Sequence, residues 1–136
     1  MVQAENIQKY LGIPYQHHGR SLSGLDCYGV ILEVFKDQGV RLWDIHDEYD
    51  LQWSWKGKDF FIENYAREWE KVFDPRFMDV VCFRNGKDIV NHAGVLIGDG
   101  KFIHAVKAGV VVSRITDSQW QKRFVGFYRH KGVAND

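Results

Sequence analysis

Apolar positions recur at helical spacing in the first half of the chain and crowd into short β-branched runs in the second. Ile7, Tyr10 and Leu11 share one side of a short helix expected over Ala4 to Leu11, which Gly12 and Pro14 end. A loop follows from Pro14 to Gly24, carrying Tyr15, His17, His18 and Arg20. Positions 27, 30, 31, 34 and 35 then fall on one helical face, which predicts a helix from Cys27 to about Gln38 with Gly39 as its stop. Arg41 to Trp55 has no clean period and reads as a structured, aromatic-rich loop. Phe61, Ile62, Tyr65, Trp69 and Val72 predict a helix from Lys58 to about Val72, closed by Asp74-Pro75. Beyond Pro75 the runs Asp79–Phe83, Asn91–Ile97, Lys101–Val106, Val110–Ser113 and Phe124–His130 read as strands, with a helical turn near Ser118 to Lys122. Helices first and a meander of strands after them make an α+β architecture.

Composition narrows the picture. A chain of 136 residues fits a single domain spanning 1–136, and 45% hydrophobic residues with five Trp supply a core that needs no metal or disulfide staple. Basic and acidic residues balance at 18 each, so no net field points to nucleic acid or an anionic membrane. Two cysteines, Cys27 and Cys82, make no disulfide framework. The first residues lack the basic-then-apolar pattern of a signal peptide, and no apolar run nears the roughly 20 residues of a membrane span. The expectation is a chain made in the cytoplasm without membrane insertion.

Cys27 carries the first candidate chemistry. Asp26 before it has the side chain of a helix N-cap, which places Cys27 on the first helical turn, where free N–H groups and the helix dipole favour a thiolate. Two readings follow: an activated nucleophile, or a small core residue in register with Val30, Ile31, Val34 and Phe35. Cys82, inside a strand with no charged neighbour, reads as structural.

The second candidate lies in Asn91–Ala105. Gly98-Asp99-Gly100 between two apolar runs signals a hairpin with a three-residue loop. In that register Ile97 faces Lys101, Leu96 faces Phe102 and Gly94 faces His104. His92 and His104 then become diagonal neighbours on one face, roughly 7–8 Å apart at Cα. Such a pair suits a general base and the group that fixes its tautomer. Two partly buried histidines with ordinary hydrogen bonds, or a metal site that adds Cys27 and His17 or His18, are the alternatives. No close Cys or His spacing of the usual zinc type supports a metal.

Leu11-Gly12-Ile13-Pro14-Tyr15, Gly19-Arg20-Ser21 and Gly24-Leu25-Asp26-Cys27-Tyr28-Gly29-Val30 together resemble the nucleophile segment of NlpC-type cell-wall cysteine peptidases. Met78-Asp79-Val80-Val81-Cys82-Phe83 resembles the strand that follows in that family, and His92–Ala105 its base-bearing hairpin. The resemblance covers about residues 11 to 130. It implies a papain-like fold, with the cysteine helix packed on an antiparallel sheet of about five or six strands. It implies Cys27 as nucleophile, His92 as base, His104 as third polar residue and Tyr15 as a hydrogen-bonding tyrosine beside the nucleophile. It assigns Asp26, Tyr28, Arg20 and His18 to the substrate side, with no metal and no cofactor.

The implied substrate is a peptidoglycan stem peptide or muropeptide, cut between γ-D-glutamate and a diamino acid. A catalytically silent tail component or peptidoglycan-binding module and a thiol acyltransferase are the competing functions. Three departures from the family's pattern stand out: Tyr28 where serine is usual, Met78 where glycine is usual, and the pair His17-His18 where Trp-Gly or similar pairs are common. Tyr28 looks like the branch found in phage tail-associated members, which points to a virion location and phage tail proteins as partners.

Overall fold

The computed structural model describes residues 7–42, 69–84 and 90–130. Its centre is a six-stranded antiparallel sheet with one helix on one face. The elements run as follows: a 3-10 turn Gln8–Tyr10, a small hairpin of β1 (Arg20–Ser21) and β2 (Gly24–Leu25), helix α1 (Cys27–Asp37), strand β3 (Trp69–Val72), β4 (Val80–Arg84), β5 (Val90–Gly98), β6 (Lys101–Val106), β7 (Gly109–Arg114), the short helix α2 (Ser118–Gln121) and β8 (Phe124–His130). The sheet order is β3-β8-β4-β5-β6-β7. Among the described residues no helix is long and apolar enough to cross a membrane.

Helix α1 follows from its ends and its buried face. Asp26 caps it by accepting the Gly29 N–H at 2.7 Å. At its far end Gly39 takes φ +79°, and the Gly39 and Val40 N–H groups donate back to Lys36 and Phe35, the pairing of a Schellman stop. Val30, Ile31, Val34 and Phe35 point inward and pack with Val80, Cys82, Ala93, Val95, Ile103 and Ala105 of the sheet. Each such side chain contributes about 1.5–3 kcal/mol on burial. Because side chains alternate along a strand, Val81, Phe83, Leu96 and Phe102 point to the opposite face, where Trp120 of α2 covers them.

Across the sheet, Arg129 of β8 forks onto the fully buried Asp79, Nε to Oδ1 at 2.9 Å and Nη2 to Oδ2 at 2.8 Å. Met78 just before it adopts φ +77°, a conformation in which glycine is at ease and methionine is strained.

Several expectations need correction. The first element is a single 3-10 turn rather than a helix over Ala4 to Leu11, of which residues 4–6 lie outside the described residues. The expected helix ending at Val72 is instead strand β3 over Trp69–Val72, paired antiparallel with β8 from Trp69↔His130 to Val72↔Phe127. Pairing with the exposed edge of β8 supplies backbone partners that outweigh the helical spacing of Trp69 and Val72. The rest of that helix, and the aromatic loop beyond Leu42, lie outside the described residues.

The β5–β6 hairpin also differs in detail. Leu96 faces Phe102 as expected, but Gly98 rather than Ile97 faces Lys101, and Ile97 is the extra residue of a bulge. Asp99 (φ +55°) and Gly100 (φ +71°) form a two-residue turn with both central φ values positive. The bulge restores the face that a plain two-residue loop would have inverted.

Candidate active site

Four parts of the chain converge at the start of β5. Helix α1 brings Cys27, β5 and β6 bring His92 and His104, and the segment before β1 brings Tyr15, bridged in parallel to Leu25. The Cys27 sulfur accepts from the Ala93 and Tyr28 backbone N–H groups, so the thiol lies against the β5 backbone one residue past His92. Tyr15 and His92 line one cleft of about 310 Å³, together with Ala105, Val106, Lys107, Trp120 and Arg123. Tyr15 is also close enough for the Cys27 and Asp26 charges to act on its hydroxyl.

The two histidines meet ring to ring. His92 Nε2 and His104 Nδ1 are 2.7 Å apart, and the far nitrogen of His104 is 2.8 Å from Ser113 Oγ. His104 is fully buried, and its neighbour in the sheet, Gly94, has no side chain to crowd it. A Cβ on Gly94 would stand 2.6 Å from the Phe102 ring and 3.0 Å from His104 Cβ. Trp120 stacks on His92 at 5.3 Å and 19°, and presents its edge to His104 at 4.8 Å and 86°. Because the two histidine nitrogens face each other, they do not share an ion, and among the described residues no group of three His, Cys, Asp or Glu could hold a metal.

Burial governs the protonation states here. It pushes the Cys27 thiol up to about 12, with the Asp26 carboxylate adding to the rise, against the lowering effects of the Ala93 N–H, Arg20 and the Tyr28 N–H. Burial, then the His104 and Arg123 charges, hold His92 down to about 3, and burial holds His104 to about 4. The resting pair is therefore thiol and neutral imidazole. The helix end's pull of about 0.3–1 kcal/mol is smaller than the cost of charging this partly buried sulfur beside a carboxylate. Tyr15, raised to about 12 by burial and by the Cys27 and Asp26 charges, stays protonated and able to donate.

The four residues expected on the substrate side are placed differently from one another. Asp26 is buried and occupied: Oδ1 takes the Gly29 N–H and Arg20 Nη1 at 3.0 Å, and Oδ2 takes the His18 N–H at 3.0 Å. Arg20 lies over the Tyr28 ring at 5.7 Å, and Tyr28 itself is buried. His18 stacks on His17 at 3.9 Å. These residues form a brace around the first turn of α1, whereas Tyr15 faces the cleft. Ser113 and Trp120 escaped the sequence reading. Alternation on β7 carried the signal for Ser113, because Phe102↔Ser113 and His104↔Val111 put Ser113 on the histidine face.

A helix that starts at a cysteine and packs on an antiparallel sheet, with a histidine pair on neighbouring strands, makes a papain-like architecture. The sequence profile of the NlpC/P60 family matches residues 12–129, and the chain belongs to that family. It is 29% identical over 119 residues to the probable peptidoglycan endopeptidase LytE of Bacillus subtilis, covering 88% of this chain and 31% of that one. It is 24% identical over 144 residues to tail tip assembly protein K of Escherichia phage lambda, covering 96% and 70%. Against the Bacillus subtilis gamma-D-glutamyl-L-lysine dipeptidyl-peptidase it is 27% identical over 124 residues, covering 88% and 37%. The chain thus spans about a third of the two Bacillus relatives. A crystal structure of an NlpC/P60 family protein from Bacillus cereus shares the fold, with TM-score 0.66 and 24% identity over 89% of this chain and 36% of that one.

Proposed function

We propose that this protein is a cysteine peptidase that hydrolyses the γ-D-glutamyl–diamino acid bond of peptidoglycan stem peptides, with Cys27 as nucleophile and His92 as base. The observation that carries the reading is the Cys27 thiol at a capped helix start against the Ala93 N–H, beside a histidine whose Nε2 is engaged by a second histidine. That engagement leaves His92 Nδ1 as the base nitrogen. As Cys27 attacks the amide carbonyl, its proton passes to His92, and the Cys27 N–H and the Tyr15 hydroxyl receive the developing oxyanion. The carbon–nitrogen bond then breaks as His92 returns the proton to the leaving amine, giving a thioester and free amine. Water, deprotonated by His92, cleaves the thioester and restores the thiol. No cofactor enters the cycle.

The likeness to a peptidoglycan endopeptidase and to a gamma-D-glutamyl peptidase supports the substrate class, and the likeness to tail tip assembly protein K over 96% of this chain supports a place in a phage tail. The test is incubation with a stem tetrapeptide containing γ-D-glutamyl-diaminopimelate, read by mass spectrometry beside Cys27→Ala. Cleavage at that bond by the unsubstituted protein alone is the expected outcome. Cleavage by both proteins removes Cys27 from the mechanism, and cleavage by neither, with an inert Cys27, returns the protein to a structural or binding role. Product retained on an added amine acceptor identifies an acyltransferase instead.

A further inference from the structure

We propose that Ser113 is a positioning residue that sets the tautomer of both histidines, and so decides whether His92 Nδ1, the nitrogen not engaged by His104, is free of a proton. The proposal rests on the peptidase reading for its consequence, but its core is a statement about protons that holds without substrate.

The geometry is a single chain of hydrogen bonds: Ser113 Oγ, His104 Nε2, His104 Nδ1, His92 Nε2. A neutral imidazole carries one N–H and one bare nitrogen, so each link fixes the next. If His104 Nε2–H donates to Ser113, then His104 Nδ1 is bare and accepts from His92 Nε2–H. His92 Nδ1 is then bare and can take the thiol proton. If Ser113 donates instead, every proton shifts by one place: His104 carries its proton on Nδ1, and His92 carries its own on Nδ1. A protonated Nδ1 cannot accept from a thiol. The serine's one rotatable proton therefore selects between a base and an inert ring two residues away.

Burial biases the choice. His104 is fully buried, while Ser113 on β7 is only partly so. A serine hydroxyl has one donor and two acceptor sites, so Ser113 can give its proton to solvent while accepting from His104. Both histidines are held neutral by burial, which keeps the two tautomers, rather than a cation, as the available states. Removing the hydroxyl leaves His104 Nε2–H without its acceptor, and shifting the proton to Nδ1 relieves that cost. The same shift puts the His92 proton on the wrong nitrogen.

The experiment is long-range proton–nitrogen NMR of the full chain with nitrogen-15-labelled histidine at neutral pH, comparing unsubstituted protein with Ser113→Ala, Ser113→Thr and Ser113→Asp. We expect bare Nδ1 on both rings in the unsubstituted protein, preserved in Ser113→Thr. A carboxylate only accepts, so Ser113→Asp should keep the same tautomers and move the acid limb of kcat/KM upward. Ser113→Ala should show mixed tautomers and about a tenfold loss in kcat with little change in KM, a fraction of the full worth of a positioned base. A bare Nε2 on His104 in the unsubstituted protein, or unchanged tautomers in Ser113→Ala, would overturn the proposal. The NMR arm decides it even if the stem peptide proves not to be the substrate.

Discussion

Cys27 is where the local sequence and the folded environment pull in opposite directions. Its position after a capping aspartate favours a thiolate, yet the same aspartate, once buried at 2% exposure beside the sulfur, opposes one. The capping role was legible because Asp-Cys before an apolar helical run has a direct reading; the electrostatic result was not, because it depends on how deeply the sheet covers the helix start. The consequence is measurable. With the thiol raised to about 12 and His92 lowered to about 3, no thiolate–imidazolium plateau should appear in acid. Alkylation of Cys27 by iodoacetamide, followed by intact mass, should instead climb steadily from pH 6 to pH 9. A rate already at its maximum near pH 6 would show a standing ion pair and refute the neutral resting state.

At the scale of elements, the pieces whose order is local in sequence were the easiest to read. Helix α1 announces both of its ends, and the β5–β6 hairpin is signalled by Gly98-Asp99-Gly100 even though its bulge is not. Strand β3 could not be recognised, because the partner that makes Trp69–Val72 a strand is β8, far along the chain. Helix α2 is four residues long and was expected only as a turn, yet it delivers Trp120 to both histidine rings.

That delivery comes with a penalty, since Trp120 Nε1 is buried with no hydrogen-bond partner, which costs about 1–3 kcal/mol. Trp120→Phe should therefore keep the ring on His92, remove the orphan donor and leave both melting temperature and kcat near their original values. Trp120→Ala should lower stability by about 3–5 kcal/mol and reduce kcat by loosening His92. Equal losses of kcat in the two variants would mean that the indole N–H, rather than the stacked ring, matters to the site.

Across the whole molecule, the sheet separates two tasks. One face, toward α1, is a continuous apolar core, and the other holds the histidines under Phe83, Phe102 and Trp120. Placing a neutral His104 at 0% exposure in that second layer ties the stability of the fold to pH. An unfolded histidine titrates near 6.5, whereas His104 in the fold is lowered to about 4 and His92 to about 3. Between those values the unfolded chain binds more protons than the folded one, so stability rises with pH through the window and is level above about 6.5. At pH 5 His104 alone should cost about 2 kcal/mol relative to pH 7, and His92 adds to the decline in the same direction. Urea unfolding at pH 7, 6 and 5 should show this decline, and His104→Gln, though less stable throughout, should show a flatter one. A midpoint that does not move between pH 7 and pH 5, or a slope that His104→Gln leaves intact, would mean that the histidine layer is protonated in the fold and that the neutral chain from Ser113 to His92 does not exist.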